Sequence, residues 1–236
     1  MLARSALALV VILACALPPR PVAYDSAGDP AATTDGLYRL RATRVAGVFA
    51  RPGASFSGYR GILLDPVSVS YKTQPRPAST LSRARGNYAL DEAGMERLKQ
   101  IYRESFEREL TRGETFTAAQ AAGPAVLRVS GHIVNLVVNV PPLRGSDRDF
   151  VFDAGEMTLV LDVRDSQSEE PLLRLVDRRA IRPGYTSLAG AYESGPVTNA
   201  GALRDLFFEW ALVVRDWIDL LHANPVPPAP GANAQG

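Results

Sequence analysis

The sequence is short of the residues that build redox and metal chemistry. Cys15 is the only cysteine among 236 residues, so no disulfide forms within one chain. The two histidines, His132 and His222, are far apart in the sequence, which argues against a zinc site. A Gly-x-Ser-x-Gly elbow, a phosphate-binding glycine loop and a dinucleotide fingerprint are also missing. We therefore predict no catalytic residues, no metal and no cofactor, and we expect that the protein is not an enzyme.

Neither sign of charge is in excess. The sequence has 26 Lys and Arg residues against 25 Asp and Glu residues. Removal of residues 1–14 takes away Arg4 and no acidic residue, which leaves 25 of each sign. A neutral chain has no overall basic charge with which to bind nucleic acid or anionic lipid. We expect no nucleic-acid partner and no electrostatic attachment to a membrane.

The N-terminal apolar run is too short for a membrane-spanning helix, but it has the form of a secretory signal peptide. Residues 7–13 follow Arg4 and fall well below the ~20 residues that cross a bilayer. The run ends in Ile12-Leu13-Ala14-Cys15, which resembles a bacterial lipobox. We predict cleavage before Cys15, lipidation of Cys15, and anchoring in the outer membrane on the periplasmic side.

A second interpretation of this segment is ordinary signal-peptide cleavage after Ala16, because Ala14-Cys15-Ala16 matches the A-x-A pattern. The product would be soluble in the periplasm or secreted; a third interpretation is an uncleaved anchor. The lipoprotein interpretation divides the chain into a signal peptide, a lipidated cysteine with a flexible tether, a single domain and a disordered Pro/Ala-rich tail. The four segments are residues 1–14, 15–35, 36–222 and 223–236.

The domain segment predicts an α+β fold. Its apolar patterns indicate, in order, short strands, a helix capped by Asp91, a long β-branched strand with a bulge or bend near Gly131-His132, a hairpin and a terminal helix. The helices are predicted near residues 91–111 and 200–221, the long strand at 125–140, and the hairpin at 155–164 and 172–181. We predict a single domain with a mixed or mostly antiparallel sheet and two main helices packed on one face.

Several short motifs, taken in this order, resemble the domain of unknown function 3313 family of proteobacterial lipoproteins. The motifs are Phe56-Ser57-Gly58-Tyr59, Leu64-Asp65-Pro66, Leu161 to Ser166, Val176 to Arg179, and Trp210-Ala211 with Trp217-Ile218-Asp219. The resemblance covers about Val45 to Leu221. It implies a lipoprotein, in agreement with the prediction for Cys15, and it supplies no activity, substrate or catalytic residue.

Two loops contain residue types that are enriched at protein interfaces. They are residues 141–154 and 182–199. The residues that we predict to bind a partner are Arg148, Phe150, Phe152, Tyr185 and Tyr192. Our first functional hypothesis is a non-enzymatic role in protein interaction or envelope assembly, with an envelope protein as partner. The alternative is a module that binds a small molecule or glycan between sheet and helix, which a deep apolar pocket would favour.

Overall fold

The computed structural model describes residues 21–25, 32–42, 44–75, 87–139, 149–151, 155–182, 192–194 and 196–230. Its helices and strands are β1 (Tyr38–Leu40), β2 (Gly47–Ala50), β3 (Gly61–Leu64), β4 (Ser68–Tyr71), α1 (Glu92–Leu110), β5 (Thr117–Ala118), β6 (Val126–Val138), β7 (Asp149–Val151), β8 (Gly155–Asp165), β9 (Pro171–Ile181), β10 (Tyr192–Ser194) and α2 (Pro196–Ala223).

The main sheet has eight strands and is mixed. Seven of them follow the order β1-β2-β9-β8-β6-β3-β5, and β4 pairs with β6 beyond the end of β3. The pairs from β1 to β6 are antiparallel, whereas β3, β4 and β5 pair in parallel. A second sheet contains only β7 and β10. This arrangement confirms the predicted α+β fold with a mixed sheet and two helices.

Both helices pack on the same face of the main sheet. Tyr102 of α1 lies against Gly131 on β6, and Trp210 of α2 donates a hydrogen bond to Asp177 on β9. The cross-strand register through β8 puts Gly131 and Asp177 on one face. We call the opposite side the open face, because none of the described helices covers it.

The hydrophobic periodicity of α1 explains how that helix forms. Asp91 caps its N-terminus by accepting a hydrogen bond from the backbone N–H of Gly94 at 2.8 Å. Residues at three-to-four spacing then face the sheet and are buried: Leu98, Ile101, Tyr102, Phe106 and Leu110. The terminal helix buries Trp210 completely, while Trp217 packs partly buried against the core.

The bulge in the long strand is not where the sequence predicted it. Pairing with β8 is regular around Gly131 and shifts between Val134 and Val137. Between them, Asn135 adopts a positive φ of 55°, which Asn tolerates better than most residues. The prediction near Gly131 was therefore wrong, and that glycine serves the close approach of Tyr102 instead.

The folded unit extends beyond residues 36–222 at both ends. Val22 is 9% exposed and belongs to the core, and the neighbouring Tyr24 pairs with Leu40 at the end of β1. At the other end, Val226 is 2% exposed, and its N–H donates to the carbonyl of Ala54. These apolar residues are buried because they complete the core beside β1 and α2. Part of the predicted tether and part of the predicted disordered tail are consequently packed.

Candidate functional site

The structure brings together two of the five predicted partner-binding residues. Phe150 lies in β7 and Tyr192 lies in β10, and these strands pair antiparallel. Arg148, Phe152 and Tyr185 lie outside the described residues, as does Cys15. Tyr192 is registered with Val151, and Glu193 is registered with Phe150. The two loops chosen separately from the sequence thus share one small sheet, which we call the ribbon (β7 and β10).

The ribbon is positioned by the ends of longer elements. β7 lies in the connection between β6 and β8, and β10 is followed almost directly by α2, which begins at Pro196. Gly155 at the start of β8 is registered with Val138 on one side and with Ile181 on the other. The chain therefore leaves the main sheet at the same end for both ribbon strands, which explains how segments about 40 residues apart meet.

A cleft lies at the β3–β5 edge of the main sheet, where β5 ends. Its volume is about 310 Å³, which is at the lower end of the range for ligand sites. We call it the edge cleft. Its lining comes from β3, from α1, and from β5 with the residues after it: Ile62, Leu63, Leu64, Arg103, Glu107, Leu110, Thr111, Ala118, Ala119 and Gln120. The lining mixes apolar and charged groups, and it is not the deep apolar pocket that would favour the small-molecule hypothesis.

Away from the ribbon and the edge cleft, a buried carboxylate on β9 connects that strand with α2 and with the residue before β2. Asp177 on β9 is 7% exposed and accepts three hydrogen bonds. Its Oδ1 accepts from the N–H of Ala46 at 3.0 Å, and its Oδ2 accepts from Nε of Arg179 and Nε1 of Trp210, both at 2.8 Å. Because both carboxylate oxygens have partners within the fold, we interpret Asp177 as a structural anchor between the sheet and α2.

A second network lies on the open face, at the junction of β3, β4 and β6. Asp65 Oδ2 accepts hydrogen bonds from Nε of Arg128 at 2.8 Å and from Oγ of Ser130 at 2.6 Å. Burial opposes the ionisation of Asp65, but these hydrogen bonds and the charge of Arg128 outweigh it, so the pKa of Asp65 lies below its usual value. This network stabilises the turn at which β3 gives way to β4.

Comparison with protein families places the chain among relatives. A model of the family described as protein of unknown function (DUF3313) matches residues 35–212. The chain belongs to the DUF3313 family. This confirms the family that the sequence motifs resembled. A comparison of this DUF3313 protein with curated proteins found no match.

Solved structures similar to the DUF3313 protein have little sequence in common with it. XCC0632 from Xanthomonas campestris, which carries the DUF330 family model, is 10% identical with a TM-score of 0.41; the alignment covers 74% of this chain and 90% of that one. CT253 from Chlamydia trachomatis is 11% identical with a TM-score of 0.36, covering 70% and 99%. PelC from Paraburkholderia phytofirmans, a dodecamer, is 11% identical with a TM-score of 0.31, covering 69% and 92%. Likenesses at this level assign no function to the DUF3313 protein.

The two histidines of the DUF3313 protein occupy separate parts of the fold. Nδ1 of His132 on β6 lies 2.8 Å from Oγ of Ser68 on β4. Nδ1 of His222, in the last turn of α2, donates to the carbonyl of Phe56 at 2.9 Å. Within the described ranges, no three His, Cys, Asp or Glu side chains form a group that could hold a metal ion. In the same part of the chain, no helix is both long and apolar enough to cross a bilayer.

Sequence reasoning missed the edge cleft. Arg103 and Glu107 lie on the outward side of α1, where both are exposed. These two residues lie beside the edge of β3 because β3 pairs in parallel with β6. That pairing joins residues more than 60 positions apart in the sequence. A local apolar pattern carries no signal for such a pairing.

Proposed function

We propose that this DUF3313 protein is a lipid-anchored protein of the outer membrane that faces the periplasm and binds a protein partner without catalysing a reaction. The observation that carries the binding role is the pairing of β7 with β10, which unites the two loops rich in aromatic and Arg residues. The anchoring role is supported by the lipobox-like residues 12–15 and by the preceding signal-like run.

The anchor is chemically sufficient if Cys15 receives the full lipid set of a bacterial lipoprotein. One acyl chain binds a membrane only marginally, and each buried CH₂ contributes about 0.8 kcal/mol, so two or more chains are needed for stable attachment. No other cysteine is present to take up the lipid. The thiol of Cys15 is thus the single candidate for this thioether-linked modification.

Metabolic labelling with an alkyne fatty acid tests the anchor directly. The wild-type protein should incorporate the label and sediment with membranes. Cys15→Ser should lose the label and accumulate as an uncleaved precursor or be released. Ser5→Ala, within the same signal segment, provides a matched control that should label normally. Absence of label from the wild-type protein would contradict lipidation and would favour cleavage after Ala16.

The binding role rests on the residues that the ribbon brings together. Aromatic residues and Arg dominate the hot spots of protein interfaces, where truncation of one such residue costs about 2 kcal/mol or more. Phe150 and Tyr192 lie on adjacent strands at neighbouring register positions. A partner that contacts this ribbon would therefore meet residues from both loops at once.

Affinity capture with a tagged, lipid-anchored protein tests the ribbon. Phe150→Ala combined with Tyr192→Ala should weaken capture of a specific envelope partner by about thirtyfold or more, the equivalent of at least one hot spot. Phe49→Ala changes a half-buried aromatic residue on β2 and should leave capture unchanged. Full retention of every partner by the double variant would refute binding through the ribbon.

A further inference from the structure

At one edge of the main sheet, β5 covers only the first two residues of β3. β5 pairs only with Gly61 and Ile62, although β3 continues to Leu64. The carbonyls of Arg60 and Ile62 accept hydrogen bonds from Thr117 and Ala119, at 2.9 and 2.8 Å. Because backbone groups alternate along a strand, the N–H and C=O of Leu64 point to the same edge. Within the described residues, no strand runs beside them there.

The edge cleft lies beside this position, since Leu64 is one of its lining residues. Its lining includes Leu64, which is half-buried, and Leu110 of α1, which is fully buried. Such a lining accepts an apolar side chain, and a volume of about 310 Å³ equals the liquid volume of about ten water molecules. The space therefore suits one or two side chains of a peptide and is too small for a folded domain.

Two charged residues at the rim have no partner among the described residues. Arg103 and Glu107 are one helical turn apart and exposed, and the described part of the chain supplies no hydrogen bond or ion pair to either side chain. This contrasts with α2, where Arg215 forms an ion pair with Asp219 one turn away at 2.6 Å. The rim therefore offers one positive and one negative side chain to a ligand that carries both an acidic and a basic group.

We propose that the edge cleft binds an extended peptide segment of a protein partner, which adds a strand to β3 beside Leu64. The segment's backbone completes the hydrogen bonds of Leu64, an apolar side chain packs on Leu64 in the cleft, and an acidic and a basic side chain pair with Arg103 and Glu107. A strand satisfies a donor and an acceptor on one edge simultaneously, which is the basis of recognition by strand addition. This site is separate from the ribbon, so it stands or falls independently of the ribbon experiment.

Amide hydrogen exchange measured by NMR on the full-length protein tests the proposal. The probe is a library of eight-residue peptides that alternate Thr or Val with one central Leu, flanked by Glu and Lys in either order. The amide of Leu64 should exchange rapidly in the free protein, and a binding peptide should protect it at least tenfold. The amide of Leu63, which the alternation directs toward β6, should be unaffected. Protection of Leu64 in the free protein, or no protection by any peptide, would overturn the proposal.

Two variants then identify the side chains involved. Leu64→Lys should weaken peptide binding about tenfold or more, because a charge replaces apolar contact in the cleft. The matched control is Ser70→Lys on β4, an exposed residue of the same sheet edge outside the cleft, which should bind normally. Equal loss in both variants would place the peptide elsewhere on the edge and refute the proposal.

Arg103→Glu provides a second measurement that does not depend on the packing of β3. The residue is exposed, so the variant should fold as the wild type does. Its preference should move from peptides with an acidic residue at the Arg103 end to peptides with a basic residue there. An unchanged preference would exclude Arg103 from recognition and overturn the charge assignment.

Discussion

Substitution of Gly131 by Ala should destabilise the protein through one specific collision. A Cβ atom at position 131 would lie 2.2 Å from Oη and 2.7 Å from Cζ of Tyr102. The Tyr102 ring cannot retreat easily, because it stacks on Phe106 with ring centroids 4.4 Å apart and meets Phe207 edge-on at 5.7 Å. Overpacking of this kind costs about 1–3 kcal/mol. For a domain of this size that corresponds to a fall of roughly 2–12 °C in Tm.

The hydroxyl of Tyr102 makes this prediction sharper. It is buried and has no hydrogen-bond partner among the residues that the structure describes, and burial raises the pKa of Tyr102, with a smaller contribution from the charge of Asp65. An unpartnered buried hydroxyl costs about 1–3 kcal/mol. Tyr102→Phe should therefore leave the free energy of unfolding unchanged or raise it. The same change should relieve part of the collision in Gly131→Ala, because it removes the atom closest to the added methyl group.

Urea unfolding of the two single variants and the double variant forms a double-mutant cycle. We expect a coupling energy of about 0.5–3 kcal/mol between positions 131 and 102. Gly201→Ala is the control for the intrinsic effect of replacing glycine: it has open space around it in α2, and Ala should stabilise that helix by up to about 1 kcal/mol. A Gly131→Ala variant as stable as the wild type, or zero coupling, would refute the reasoning.

Two further predictions concern the carboxylate networks. Asp177→Asn should lower the free energy of unfolding by about 2–3 kcal/mol, because charge-assisted hydrogen bonds to Arg179 and Trp210 are lost, whereas the exposed Asp216→Asn should cost less than about 0.5 kcal/mol. Similar small losses in urea unfolding would contradict the anchor role. The depressed pKa of Asp65 means that its contribution to stability is complete above about pH 4 and disappears as the pH falls through the folded-state value. Asp65→Asn should therefore be less stable than the wild type at pH 6 and approach it at pH 2, and parallel stability curves between those limits would count against this assignment.

The parts of the fold that local chemistry determines were predictable from the sequence. Asp91 was expected to cap α1, and its carboxylate does so. The alternation after Gly155 and the polar turn near residue 167 indicated a hairpin, and β8 and β9 form it with pairs from Gly155–Ile181 to Val163–Leu173. In each case the deciding groups lie within a few residues of one another, so the pattern itself contains the information.

Other features depend on contacts between distant segments. A glycine within a strand marks either a bulge or a close approach, and only the packing of Tyr102 decides in favour of the second for Gly131. The edge cleft could be predicted only if it were known that β5 pairs with just two residues of β3. The two segments of the ribbon were selected by composition and predicted as loops. The strands within them and their pairing were not predicted, because no local periodicity connects β7 with β10.

The early entry of the chain into the core determines how the molecule would stand on a bilayer. Val22 is already buried, so a lipid on Cys15 would be connected to the fold by residues 16–21 of the sequence. Six extended residues reach at most roughly 20 Å. The β1 edge would then lie near the lipid headgroups, whereas β5 is six strand spacings from β1, a distance of about 29 Å. Such an attachment would present the β5 edge outward, at a height above the membrane set by the width of the sheet.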